Sequence, residues 1–227
     1  MRFLNRLEVA SWFKGKTVAI VGSGPGCAEN SVGYVDSHDI VVRVNNYRLI
    51  GGTGSRTDVF YSFFGTSIKK TADELKRDGV KLCMSKLPNA QVLESEWHRR
   101  NGKMIGVDYR PHFERRKNWW FCDTFVPTVE DFMCPFDVLG RHMPTTGFAA
   151  IWDVLSFNPK TVFLTGFDFF QSGIHNVNEP WRAKNLDDPF RHDPERELAW
   201  VAQSIGCHPI LLDDRLRRAI EAINIAA

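Results

Sequence analysis

The sequence predicts a single α/β domain built on one mostly parallel sheet with helices on both faces, and three observations carry that expectation. TVAIVG (17–22), HDIVVRV (38–44), TDVFYS (57–62), VKLCM (80–84) and TVFLTGF (161–167) are short, β-branched and apolar without alternation, the pattern of strands buried on both faces. Helical patterns lie between them: SIKKTADELKRDG (67–79), closed by Gly79 as a C-cap, and TGFAAIWDVLSF (146–157), stopped before Asn158 and Pro159. The 227 residues are 43% hydrophobic, enough for one core, and no Pro-, Gly- or Ser-rich linker divides them. Strand alternating with helix makes this one domain, 1–227, Rossmann-like.

Taken in order, MRFLNRLEVASWFKGK (1–16) mixes Phe3, Leu4, Leu7, Trp12 and Phe13 with Arg2, Arg6, Lys14 and Lys16. It reads as an amphipathic helix that docks on the domain's own core or lies on a membrane surface. The stretch 85–140 is basic and aromatic, and VPTVEDFMCPFDVLG (126–140) reads as a helix interrupted near Pro135. HPILLDD (208–214) and RLRRAIEAI (215–223) add a last strand and helix.

Bulk properties exclude several classes. A formal charge of +2 gives no reason to expect nucleic acid. Five cysteines without a CxxC pair suit a reducing compartment better than a disulfide framework. No run approaches the ~20 apolar residues of a membrane span, and no signal-peptide core is visible. The expected location is cytoplasmic, with peripheral contact at the inner membrane face or with a lipid-linked glycan left open by segment 1–16.

Gly22, Ser23, Gly24, Pro25 and Gly26 follow the first strand, where a tight turn can offer bare N–H groups to a phosphate. The loop is not a dinucleotide fingerprint: Cys27 stands three after Gly24, and the second strand ends in Asn45 and Asn46 instead of an acid. No Gly-Lys-Ser/Thr follows, which excludes a Walker loop. PTTGFAAIWDVLSF (144–157) sets Thr145, Thr146 and Gly147 at a helix start, an anion site or a plain N-cap. The strand after it ends in Gly166, Phe167 and Asp168. No Asp-x-Asp and no His/Cys cluster has metal-site spacing, so neither a metal nor another cofactor is expected.

VAIVGSGPG (18–26), YVDSHDIVVRVNNY (34–47) and GTGSRTDVFY (52–61) together resemble the large sialylmotif of the sialyltransferases in glycosyltransferase family 29. PTTGFAAIWDVLSFNPKTVFLTGFDFF (144–170) resembles the small sialylmotif, its GFDFFQSG ending being closer to the bacterial family 42. His175 falls at the third motif, and His192 with Glu197 reproduces the H-x4-E of the very small motif. The four motifs stand in the family's order and cover about half of the chain. Two departures stand out. No Asn opens the large motif, Ser23 being in that region, and Thr17 and Phe157 lie where family 29 has paired cysteines.

The resemblance implies a sialyltransferase-type variant of the GT-A fold. It implies an inverting, metal-independent transferase that moves a nonulosonic acid, usually sialic acid, from a CMP-sugar donor to a glycan acceptor; CMP-Kdo is the alternative donor. Carried over by position, Ser23, Gly24, Pro25, Asn45, Asn46 and Ser62 would contact CMP. Thr145, Thr146 and Gly147 would hold the donor carboxylate or phosphate, and Gly166, Phe167 and Asp168 would line the cytidine. His192 is the expected base, with Asp193 as N-cap and Pro194 at the first helical position keeping the ring neutral by the helix field. Glu197 either orients that ring or simply matches the helix dipole, and His175 would donate to the leaving phosphate. Segment 177–191 is the expected lid. A Rossmann oxidoreductase and a non-catalytic nucleotide-binding module are the rival readings.

Overall fold

The computed structural model describes residues 2–92, 99–100, 103–104, 107–119, 121–171, 174–175, 179–180 and 192–226. Among these, eight strands form one sheet: β1 (Phe3–Leu4), β2 (Thr17–Val21), β3 (Ile40–Val44), β4 (Val59–Ser62), β5 (Leu82–Ser85), β6 (Asp123–Phe125), β7 (Thr161–Thr165) and β8 (Ile210–Leu212). Their order is β1-β6-β5-β4-β3-β2-β7-β8, and every pairing is parallel. The strand order reverses between β2 and β7, the place where open α/β sheets leave a crevice for a ligand.

Both faces are covered, as the unbroken apolar strands require. Val18, Ile20, Val42, Tyr61 and Met84 face helices α1 (Arg6–Phe13), α5 (Thr146–Ser156), α6 (Pro194–Ser204) and α7 (Asp214–Ala226). Phe60 and Cys83 point the other way, onto α2 (Ala72–Arg77) and α3 (Arg110–Arg115) through Leu75, Phe113 and the fully buried Trp119. Gly79 ends α2 at φ +89°, the left-handed position expected of it.

Two expectations need correction. The helix expected over 1–16 spans only Arg6–Phe13, because Phe3 and Leu4 pair with Thr124 and Phe125 as an edge strand and Asn5 forms a capping box with Glu8. It docks by burying Val9 and Phe13, and Phe13 stacks on Phe157 at 5.4 Å. The second correction concerns α4 (Val129–Val138), which runs through Pro135 unbroken. A proline inside a helix costs about 3 kcal/mol; here Phe132, Pro135 and Phe136 are buried together, and each buried ring returns about 1.5–3 kcal/mol. Among the described residues no helix is long and apolar enough to cross a membrane.

Much of the segment that resembles the large motif is scaffold. Asp36 accepts from the N–H and hydroxyl of Ser55 at 2.7 and 2.8 Å, and Asp39 accepts from both groups of Thr17. Arg43, fully buried, donates to the carbonyls of Arg56 and Thr53. On the other flank the buried Asp213 carboxylate accepts from the Thr165 hydroxyl at 2.9 Å and from the N–H groups of Gly166 and Leu216, both at 2.8 Å. It joins the end of β7 to the start of α7 and thereby sets one wall of the crevice. Asp213→Ala leaves two buried N–H groups without acceptors, at about 2–4 kcal/mol. For a chain of this size the melting temperature should fall by roughly 5–12 °C; an unchanged melting temperature would remove Asp213 from this role.

Candidate functional site

A cavity of about 1070 Å³ opens at the carboxyl ends of β2, β3, β5 and β7. One wall is the close contact of two loops. Gly22 donates to the Thr165 carbonyl and Gly24 to the Gly166 carbonyl, both at 2.8 Å. A Cβ on Gly24 would lie 2.8 Å from Gly166 O, and Gly166 itself holds φ +73° with Cys27 against it. The glycines thus permit loop-on-loop packing, and the N–H groups of Gly22 and Gly24 expected to face a phosphate are used by the end of β7 and the residue after it.

The N-terminus of α5 adjoins it, both meeting the Phe167 ring. Thr145 is its N-cap, its hydroxyl accepting from Phe148 N–H at 3.1 Å. Thr146 and Gly147 follow in the first turn, whose N–H groups have no partner within the helix and carry its positive end. Gly147 has no room for a side chain: a Cβ would sit 2.9 Å from the Phe167 ring.

From Met143 to Thr145 the backbone is gripped by three ionisable side chains. His192 Nδ1 lies 2.7 Å from Met143 O. A carbonyl only accepts, so in the neutral ring Nδ1 carries the proton and the basic lone pair belongs to Nε2. Lys86 Nζ donates to Pro144 O at 2.6 Å. Glu197 accepts from Thr145 N–H at 2.5 Å and from its hydroxyl at 2.7 Å. The orienting role considered for Glu197 therefore falls to the Met143 carbonyl, while Glu197 fixes the cap of α5. Asp193 caps α6 through Arg196 N–H and Pro194 begins it.

Ser23, Gly24, Asn45, Asn46, Thr145, Thr146, Gly147, Gly166, Phe167 and Asp168 all line this cavity, together with His192 and Glu197. Pro25 and Ser62 do not. Pro25 opens a 3₁₀ turn behind the loop, and the Ser62 hydroxyl is buried, accepting from Phe64 N–H at 3.1 Å. Asn45 adopts φ +52°, and its Oδ1 is buried without a donor among the described residues. Asn46 bridges two loops instead, donating to Ser67 O and accepting from Lys69 N–H. Beyond Asp168 the chain turns with Phe169 at φ +47° and Phe170 at φ +63°, a conformation costing about 1–2 kcal/mol per residue and typical of functional sites. Ile174–His175 pairs with Glu179–Pro180 as a short antiparallel ribbon; the His175 side chain and the rest of the 177–191 lid lie outside the described residues.

Sequence reading missed Lys86, Met143, Tyr109 and His112, all in the wall. A backbone carbonyl leaves no trace in residue identity, and Lys86 is a lone lysine after a strand. His112 is held below the usual histidine range by burial and by Arg115.

Burial pushes the Glu197 carboxyl up to about 8, against the hydrogen bonds from Thr145 and the charge of Lys86. In the unfolded chain it titrates near the ordinary 4.5. The folded state therefore holds the extra proton between those values, so stability contributed by this group declines as pH rises toward 8 and levels off above it. Between pH 6.5 and 8.5 the urea midpoint of Glu197→Gln should fall less than that of the wild type. Parallel declines would show that Glu197 is ionised throughout.

No family model matches the chain, and no curated protein matches it by sequence. Solved structures do. The sialyltransferase CstII from Campylobacter jejuni, in complex with cytidine-5′-monophosphate, superposes at TM-score 0.55 with 15% identity over 88% of this chain and 80% of that one. Monofunctional α-2,3-sialyltransferase Cst-I from the same organism gives 0.54, 13%, 94% and 78%. A mammalian sialyltransferase gives 0.50, 18%, 87% and 68%. The chain has the fold of the sialyltransferases.

Proposed function

We propose that this chain is an inverting, metal-independent glycosyltransferase that moves a nonulosonic acid, sialic acid foremost, from a CMP-sugar to a glycan hydroxyl. The observation that carries the reading is a histidine of defined tautomer and a helix N-terminus in one cavity, on the sialyltransferase fold. The N-terminus of α5 suits the donor's carboxylate or phosphate. His192 Nε2 takes the acceptor's proton while the acceptor oxygen bonds to the anomeric carbon and the bond from that carbon to the CMP oxygen breaks. A single displacement of this kind inverts the anomeric centre.

Asn45, Ser23, Phe167 and Asp168 form the floor on which CMP would lie, and His175 keeps its proposed place at the leaving phosphate on sequence grounds. Metal independence draws support from the absence of any Asp-x-Asp, the helix terminus supplying the positive field instead. Five free thiols support a reducing, cytoplasmic setting. Exposed Phe3 and Leu7 beside Arg2 and Arg6 support peripheral contact with a membrane or a lipid-linked glycan acceptor.

Incubation with CMP-sialic acid and CMP-Kdo separately should release CMP with a suitable acceptor, faster from the sialic acid donor; release from the Kdo donor alone would reassign the sugar. His192→Ala should lower transfer by roughly 10²–10⁴-fold while binding CMP within about threefold of wild type by calorimetry. Transfer near the wild-type rate in that variant would reject His192 as the base. Added chelator should leave the rate unchanged; loss of activity restored by a divalent ion would overturn metal independence.

A further inference from the structure

Met143, Pro144 and Thr145 form a three-residue strap between α4 and α5, and its middle carbonyl is held by a residue with no role in the reading above. Lys86 leaves the end of β5 at a fixed angle. Its N–H donates to Ser62 O at 2.9 Å, and the Ser85 hydroxyl closes the turn by donating to Leu87 O and accepting from Leu87 N–H. The side chain then runs inward until only 5% of the residue is exposed, ending 2.6 Å from Pro144 O.

A buried ammonium needs a reason, because a buried ion pair is often no more stable than apolar residues of the same size. The acid on which its charge acts is Glu197, fully buried and bonded to Thr145 of the same strap. Held through Pro144 by Lys86 and through Thr145 by Glu197, the strap presents Met143 O to His192 and the first turn of α5 to the cavity.

We propose that Lys86 is a positioning residue for transfer, fixing through the Pro144 carbonyl both the imidazole of His192 and the anion-facing start of α5. Its consequence for turnover rests on the transferase reading; its consequence for the strap does not. Glu197 retains its own hold on Thr145 when Lys86 is removed, so the donor site survives better than the alignment of the base. A displacement of about 1 Å at a reacting group is enough for a 10²-fold loss.

Lys86→Met keeps the length of the side chain and removes the ammonium, and because Glu197 can take up a proton no unpaired charge is left buried. The variant should melt within a few degrees of wild type. Its kcat should fall about 30- to 100-fold with the donor KM changed less than about threefold, and Lys86→Arg should recover most of the kcat. Wild-type kcat in Lys86→Met, or an equal loss in Lys86→Arg, would overturn the proposal.

The proton resonance of His192 Nδ1–H gives an arm independent of turnover. It should be protected from exchange in the wild type and in Lys86→Arg, and should broaden in Lys86→Met; identical protection in all three would also overturn it. Should the wild type release CMP from neither sugar nucleotide, the transferase reading fails alone, and this resonance still decides the role of Lys86.

Discussion

The molecule depends on how closely two loops can pass at the point where the sheet reverses its order. Gly22 donates to the last carbonyl of β7 and Gly24 to the next one, of Gly166, and a Cβ at either position would run into the Gly166 carbonyl. Gly166 must hold a left-handed backbone to offer that oxygen. With the loops in contact, the main chain of Gly22, Gly24 and Gly166 makes one wall of the crevice. Asp213 and Asn30 lock the contact from behind, both meeting the Thr165 hydroxyl at 2.9 Å.

From that contact the second wall is set at a distance, through α5. Its far end is anchored by Asp153, fully within the core, which accepts from the Tyr61 hydroxyl at 2.6 Å and faces Arg6 at 3.8 Å. Arg6 also reaches Asp131 of α4 at 3.3 Å and the Ser156 hydroxyl at 2.7 Å. Burial pushes Asp153 up to about 6, so near neutrality it is ionised and the link to α1 is a charged one. Helix α1, remote from the cavity, therefore steadies the helix whose other end faces it.

Strands β2, β3, β4, β5 and β7 were legible because burial on both faces leaves an unbroken apolar run. β1 and β6 were not: Phe3–Leu4 and Asp123–Phe125 are too short to show a period, and only their pairing with neighbours makes them strands. Pro135 misled because propensity is local while the burial of Phe132 and Phe136 is tertiary. In the site, residues at strand ends and helix starts were found, since topology alone gathers them at one edge. The partners of those residues were not. Nothing in His192 or Glu197 tells that the first meets a main-chain carbonyl and the second a threonine 52 positions away.

That division of partners has an electrostatic logic. A carboxylate on the imidazole would hold a negative charge beside a helix N-terminus suited to an anion, whereas a carbonyl fixes the same tautomer with a dipole alone. Glu197, sealed in the wall with its carboxyl pushed up to about 8 by burial, keeps a proton more readily than an ordinary carboxyl and so sets less charge against the N-terminus of α5. The wall thereby turns the positive end of α5 to the cavity, while the Nδ1 side of the imidazole meets a neutral carbonyl. Both conditions follow from which groups the fold buries, with His192 left partly open to the cavity and Glu197 closed off from solvent.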